Sequence, residues 1–175
     1  RLSYAQAMLS AIYGASTGGM FLIGYALRLG ASNVQIGLMS TIPMFCVVTQ
    51  MAAAALIERG ASRRKMTVLA ALATVSCWAF VIMIPYLAAR GAPAARVAAL
   101  IGMIALVTVF GHMWANARAS WLGDLIPAEL RGRFFGSVNM YSGIVATFFA
   151  VCEGAFLDVV KRMGLEAVSY THLRA

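Results

Sequence analysis

The side chains of this sequence that could do chemistry are few, and most lie inside apolar stretches. Glu153 is the sharpest of them. Asn139, Ser142, Ala146, Phe149 and Glu153 recur at alternating spacings of three and four, which puts the carboxylate on one helical face with two other polar groups. An ionised carboxylate at the centre of a lipid-embedded helix costs at least about 2.5 to 3.5 kcal/mol, so one kept there is expected to answer to a proton or a cation. A second reading stays open. Glu153 is five residues from Asp158, close enough to a helix end to reach interfacial water.

Two further constellations have helical spacing. Gln6, Ser10, Tyr13 and Thr17 fall at i, i+4, i+7 and i+11, a continuous polar stripe that in lipid must meet another helix or a water-filled cavity. Gly14, Gly18 and Gly19 beside it offer close approach and a bend. His112, Asn116 and Ser120 form a second line, whereas Arg118 points to the opposite side with Trp114 and Trp121, as an interfacial anchor with cation–π contact would. His112 and Asn116 read either as cavity residues or as interhelical hydrogen-bonding groups. On the helices placed below, Arg118 lies nine residues from one centre and Glu153 seven from another in opposite senses, an axial gap of about 24 Å, so neither neutralises the other. The chain has no phosphate-cradling glycine loop, HExxH, CxxC or nucleophile elbow, so neither an enzyme nor a cofactor or metal site is expected. A membrane-embedded enzyme with His112 as base would find only Asn116 within a turn on its face.

The elements that must position these residues follow from composition. The chain has 175 residues, 62% of them hydrophobic and 11% charged, and a mean hydropathy of +0.82, too apolar for a domain whose surface meets water. The net charge of +8 is spread as punctuation between uncharged runs rather than massed on one face, which argues against a nucleic-acid partner. Cys46, Cys77 and Cys152 each lie in an apolar run without paired spacing, and read as small packing residues.

Charge-free stretches span 2–27, 29–57, 66–89, 97–117 and 134–152, each reaching or nearly reaching the roughly 20 residues a helix needs to cross a bilayer. Runs such as 52–57 and 68–73 do not alternate, which excludes a barrel. The expectation is an all-α integral membrane protein, a bundle of five transmembrane helices near 4–27, 34–57, 66–87, 97–121 and 134–158 within a domain covering 1–167. Turns are expected at 30–33, 60–62 and 91–93. The third helix has no ionisable acid or base in its middle and can face lipid. The first lacks a small-residue cleavage pattern and reads as retained rather than as a signal peptide.

With the amino end cytoplasmic, the inner side carries Arg1, Arg59, Arg63, Arg64, Lys65, Arg131 and Arg133, and the outer side Arg28, Arg90, Arg96, Lys161 and Arg162. The dense run Arg63, Arg64, Lys65 favours that orientation. The chain begins at Arg1 rather than Met, and residues 168–175 (VSYTHLRA) break the pattern in the manner of a translated adapter, leaving His172 without a role. Twelve arginines against two lysines fit a GC-rich bacterial genome and hence an inner-membrane location.

Two loops carry a resemblance. The segment Trp121-Leu-Gly-Asp124-Leu-Ile-Pro127-Ala-Glu129-Leu-Arg131-Gly132-Arg133-Phe-Phe-Gly136 resembles the loop between the fourth and fifth helices of the major facilitator superfamily of transporters, with acid, proline and RGR in matching order. The run Glu58-Arg59-Gly60-Ala61-Ser62-Arg63-Arg64-Lys65 is similar to the family's GxxxDRxGRR signature after its second helix. It departs from it by Ala54 for the leading glycine, Glu58 for the aspartate and one extra residue before the basic pair. The fifth helix lacks the GPxxG pattern of the family's drug antiporters, which disfavours drug/proton exchange.

The resemblance covers about residues 4–160. It implies the first half of a secondary active transporter, cut before its sixth helix, whose partners are the bilayer, a small solute taken with a proton or cation, and the remaining half of the same protein. On that reading Gln6, Tyr13, Thr17, His112 and Asn116 wall the solute path, Glu153 couples, and Glu58, Arg59, Arg63, Arg64, Asp124, Arg131 and Arg133 form the cytoplasmic gate. The rival is a non-transporting membrane receptor or assembly subunit with the same helices.

Overall fold

In a computed structural model, residues 2–87 and 92–162 are described; Arg1, Arg90 and the 168–175 tail lie outside them, and the side chains of Lys161 and Arg162 are likewise not described. The described residues form seven helices and no strand: α1 (Leu2–Thr17), α2 (Gly19–Arg28), α3 (Asn33–Cys46), α4 (Thr49–Glu58), α5 (Arg63–Leu87), α6 (Pro93–Leu125) and α7 (Ala128–Arg162). Five stretches are long and apolar enough to cross a membrane, namely Ser3–Arg28, Asn33–Glu58, Arg63–Tyr86, Pro93–Leu125 and Ala128–Val159. The all-helical expectation with five candidate spans therefore stands, although two spans are each divided into two helices.

The first division falls at the glycine pair. Gly18 is a bend, and Gly19 has φ +52°, a conformation that costs an L side chain about 1–2 kcal/mol. The second was not foreseen. Pro43 has no N–H to give to the preceding turn, and just after it the chain tightens into i→i−3 bonds: Val48 N–H to Phe45 O (3.4 Å), Gln50 N–H to Val47 O (2.9 Å) and Met51 N–H to Val48 O (3.0 Å).

The connections after α2 and α4 are built alike from Gly-Ala-Ser. The N–H of Gly30 bonds to Leu27 O and that of Ala31 to Ala26 O, both at 3.0 Å, and Gly60 and Ala61 repeat the pattern on Ile57 O and Leu56 O, also at 3.0 Å. This is the Schellman closure, which requires a left-handed residue, here Gly30 at φ +90° and Gly60 at φ +94°. Serine then starts the next helix. Ser32 and Gln35 form a reciprocal capping box, and Ser62 Oγ accepts from Lys65 N–H at 3.4 Å. Gly60→Ala is expected to cost about 1–2 kcal/mol of stability in detergent. Gly136→Ala, where an added Cβ meets open space on α7, is expected to cost nothing. Thermal denaturation of the two variants side by side checks this.

Residues 122–133, expected as a loop, are helical except at Ile126 and Pro127. The proline forces the residue before it out of the α region, and Ile126 is extended at φ −107°, ψ 127°. The charges of this segment do not break a helix. At 33 and 35 residues, α6 and α7 exceed what about 30 Å of hydrocarbon needs.

The chain divides into two compact units. In the unit Ala26–Glu129, α6 packs against α3, α4 and α5. The buried residues of α5, Thr67, Ala70, Thr74, Cys77, Val81 and Ile84, repeat at three and four like a coiled-coil seam. Across the pair, α6 buries Val97, Leu100 and Ile104. Thr67 and Thr74 donate to Arg63 O (2.8 Å) and Ala70 O (2.9 Å), so the hydroxyls are satisfied within their own helix and the seam stays apolar. The third span, expected to be able to face lipid, exposes Val68, Leu72, Val75 and Ile82 while its other face is packed. Ala53 on α4 and Ala117 on α6 have no exposed surface, and such small residues allow close helix contact.

In the unit Arg1–Tyr25 with Leu130–Ala175, the ring of Tyr4 meets Phe134 edge-on at 5.4 Å and Tyr141 at 6.0 Å. Ser16 meets Glu153 further along both helices. Contacts that advance together in number mean that α1 and α7 run parallel.

Candidate functional site

In the unit Ala26–Glu129 the polar centre is the imidazole of His112, held on both sides by the interrupted second span. Its Nε2 lies 3.2 Å from Pro43 O and its Nδ1 2.9 Å from Gln50 Nε2. The break explains why. Where a helix stops, its last carbonyls lose their i+4 donors, and in lipid no water replaces them. Pro43 O takes His112, and Cys46 O takes the hydroxyl of Thr49 at 2.6 Å. His112 therefore reaches from α6 to both halves of the second span. Asn116, one turn on, is half-buried. Arg118 sits 5.6 Å over the Trp114 ring, so its cation–π partner is the tryptophan four residues earlier.

At one end of the same unit, Arg63 at the start of α5 forms an ion pair with Asp124 at the end of α6. Each side chain is part-exposed, at 39% and 51%, and exposed pairs contribute only about 0–1 kcal/mol. What the pair does is tie together the ends of two antiparallel helices. Glu58, Arg59 and Arg64 are exposed at that loop, as are Arg131 and Arg133 in the first turns of α7. Arg63 and Asp124, both expected gate residues, are thus paired with each other.

In the other unit, Ser16 Oγ donates to Glu153 Oε1 at 2.8 Å. Glu153 is half-buried, so part of its carboxylate meets the surroundings and part meets this hydroxyl, two residues before the Gly18 bend. The stripe of α1 is largely self-satisfied: Gln6 Nε2 donates to Ser10 Oγ at 3.2 Å and Thr17 Oγ1 to Tyr13 O at 2.7 Å. Tyr13 is 41% exposed. Gln6, Tyr13, Thr17 and Glu153 belong to one unit and His112 and Asn116 to the other.

Gln50 and Ser16 are hydrogen-bond partners that sequence reasoning missed. Gln50 carried a signal, as one of three side-chain amides in the 29–57 stretch. Ser16 carried little, because it lies one residue off the i, i+4 line drawn through Tyr13 and Thr17. No grouping of three or more His, Cys, Asp or Glu side chains that could hold a metal occurs among the described residues. No model of a known protein family, no characterised protein and no solved structure matches this chain.

Proposed function

We propose that this chain is part of a secondary active transporter of the major facilitator type, which moves a small solute across the inner membrane by alternating access. The observation that carries the reading is the Arg63–Asp124 ion pair. It joins the two segments, 58–65 and 121–136, that resemble the family's cytoplasmic loops, and it joins them through a basic and an acidic residue of the expected gate. A contact of this strength suits a gate, since a latch that must open every cycle has to be weak enough to break. Each unit adds a polar cluster inside its apolar spans, His112 with Gln50 and Glu153 with Ser16. In lipid, polar groups at such depth mark solute or ion paths.

In this reading the amino end is cytoplasmic, Glu153 couples a proton or cation to the solute, and a second half of the same protein completes the path. The test is uptake by the full-length protein in proteoliposomes. Arg63→Asp and Asp124→Arg, each placing like charges together, are expected to lower uptake severalfold, and the double exchange to restore most of it. Equal loss in all three variants would remove the pair from the gate, and no uptake of any solute class by the intact parent protein would favour the receptor reading.

A further inference from the structure

We propose that His112 is a proton-binding site, that Nδ1 is the atom that takes the proton, and that Gln50 is the positioning residue that holds the ring in both protonation states. The inference concerns the proton alone and does not depend on a solute being moved.

The hydrogen-bond partners assign the tautomer. A carbonyl oxygen only accepts, so the nitrogen facing Pro43 O at 3.2 Å, Nε2, carries a hydrogen and donates it. Nδ1 then has a lone pair and accepts from the amide of Gln50 at 2.9 Å. The ring so held is neutral. Nε2 is committed to the helix carbonyl, which leaves Nδ1 as the nitrogen free to gain a proton.

Gln50 has a property that a leucine or a lysine lacks: its amide presents a donor and an acceptor of nearly equal size. When a hydronium ion gives its proton to the Nδ1 lone pair, one O–H bond breaks, one N–H bond forms and a water is released. The amide turns about its terminal bond, Oε1 replaces Nε2, and the new N–H donates to it. Both contacts of the ring survive, and the one to Pro43 O becomes charge-assisted.

The titratable and charged groups on the elements around this ring are few. Within its span α3 carries only the thiol of Cys46 and α5 that of Cys77, with Tyr86 near the end of α5. Glu58 is at the end of α4, and Arg63, Arg64 and Lys65 are at the start of α5. On α6 itself Arg118 is six residues on, and Arg96 and Asp124 lie near the two ends.

The experiment is nitrogen-15 NMR of the full chain in lipid nanodiscs, labelled at histidine and carrying His172→Asn so that His112 is the sole imidazole. Between about pH 5 and pH 8 the Nε2 resonance is expected to stay that of a protonated nitrogen, while Nδ1 moves from acceptor to protonated. Gln50→Leu removes the acceptor and is expected to weaken proton binding about tenfold. Gln50→Glu restores an acceptor, adds a negative charge and is expected to strengthen binding about tenfold or more. A hydrogen on Nδ1 at the alkaline end would overturn the proposal, as would a ring that takes no proton in this range. So would proton binding unchanged in the glutamate variant, which decides the matter even if the leucine variant does not fold.

Discussion

Leucine in place of His112 is expected to lower the unfolding free energy of the chain in mixed micelles by about 1–3 kcal/mol. The figure follows from two interhelical hydrogen bonds, each worth about 0.6 and at most about 1.7 kcal/mol in membrane proteins. Both end on the second span, at Pro43 O and Gln50. Truncation leaves the carbonyl at the break without its donor, and an unsatisfied polar group costs more than a missing bond gains. Gln50→Leu severs one contact only and is expected to cost about half as much. The informative quantity is the coupling: Gln50→Leu introduced into the His112→Leu background is expected to cost less than in the parent, because its partner is already gone. Strict additivity, measured by denaturant titration of the four proteins, would mean that the imidazole and the amide do not act together.

Glu153→Gln is expected to have opposite effects on function and stability. The amide oxygen still accepts from Ser16, so the contact between α1 and α7 is retained. The charge is gone, and with it an insertion cost of about 2.5–3.5 kcal/mol at the centre of a span, less near an end, so the variant is expected to be no less stable than the parent. In reconstituted full-length protein, the ratio of uptake at about pH 5 to that at about pH 8 is expected to fall to near one. Ser16→Ala keeps the carboxylate but strips its donor, and is expected to move the pH profile without abolishing it. An unchanged profile in Glu153→Gln would remove Glu153 from coupling, whatever its contact with Ser16.

The parts of this fold that were legible in the sequence are those dictated by one helix at a time. Five uncharged runs correspond to five stretches apolar enough to cross a membrane, and the Gly18–Gly19 pair does bend the first of them. Gly30 and Gly60 stand at helix ends because only a residue tolerant of positive φ closes a Schellman turn. What failed was of two kinds. Charge was used to end α6 and start α7, but Asp124, Glu129, Arg131 and Arg133 are all compatible with helix, and only Pro127 interrupts it. The break after Pro43 was likewise hidden in a run of unbroken hydrophobicity.

The second kind concerns partners. Periodicity put Glu153 and His112 on defined faces of their own helices, yet it carries no information on the register between helices. The hydroxyl that reaches Glu153 and the amide that reaches His112 are set by how α1 lies on α7 and how α4 lies on α6. Arg63 and Asp124 were both named as gate residues from the same family resemblance, each in its own loop. Their pairing needs the antiparallel packing of α5 and α6, which the seam of Thr67, Ala70, Thr74, Cys77 and Val81 supplies.

The most direct test of the account is which side of a membrane each turn reaches. Single cysteines at Ser32, Ser62, Ala92 and Ala128, in a background with Cys46, Cys77 and Cys152 replaced by alanine, can be labelled with an impermeant thiol reagent in sealed vesicles. Five alternating crossings place Ser62 and Ala128 on one face and Ser32 and Ala92 on the other, so the two pairs should react from opposite sides. All four reacting from the same side would contradict the five-span account.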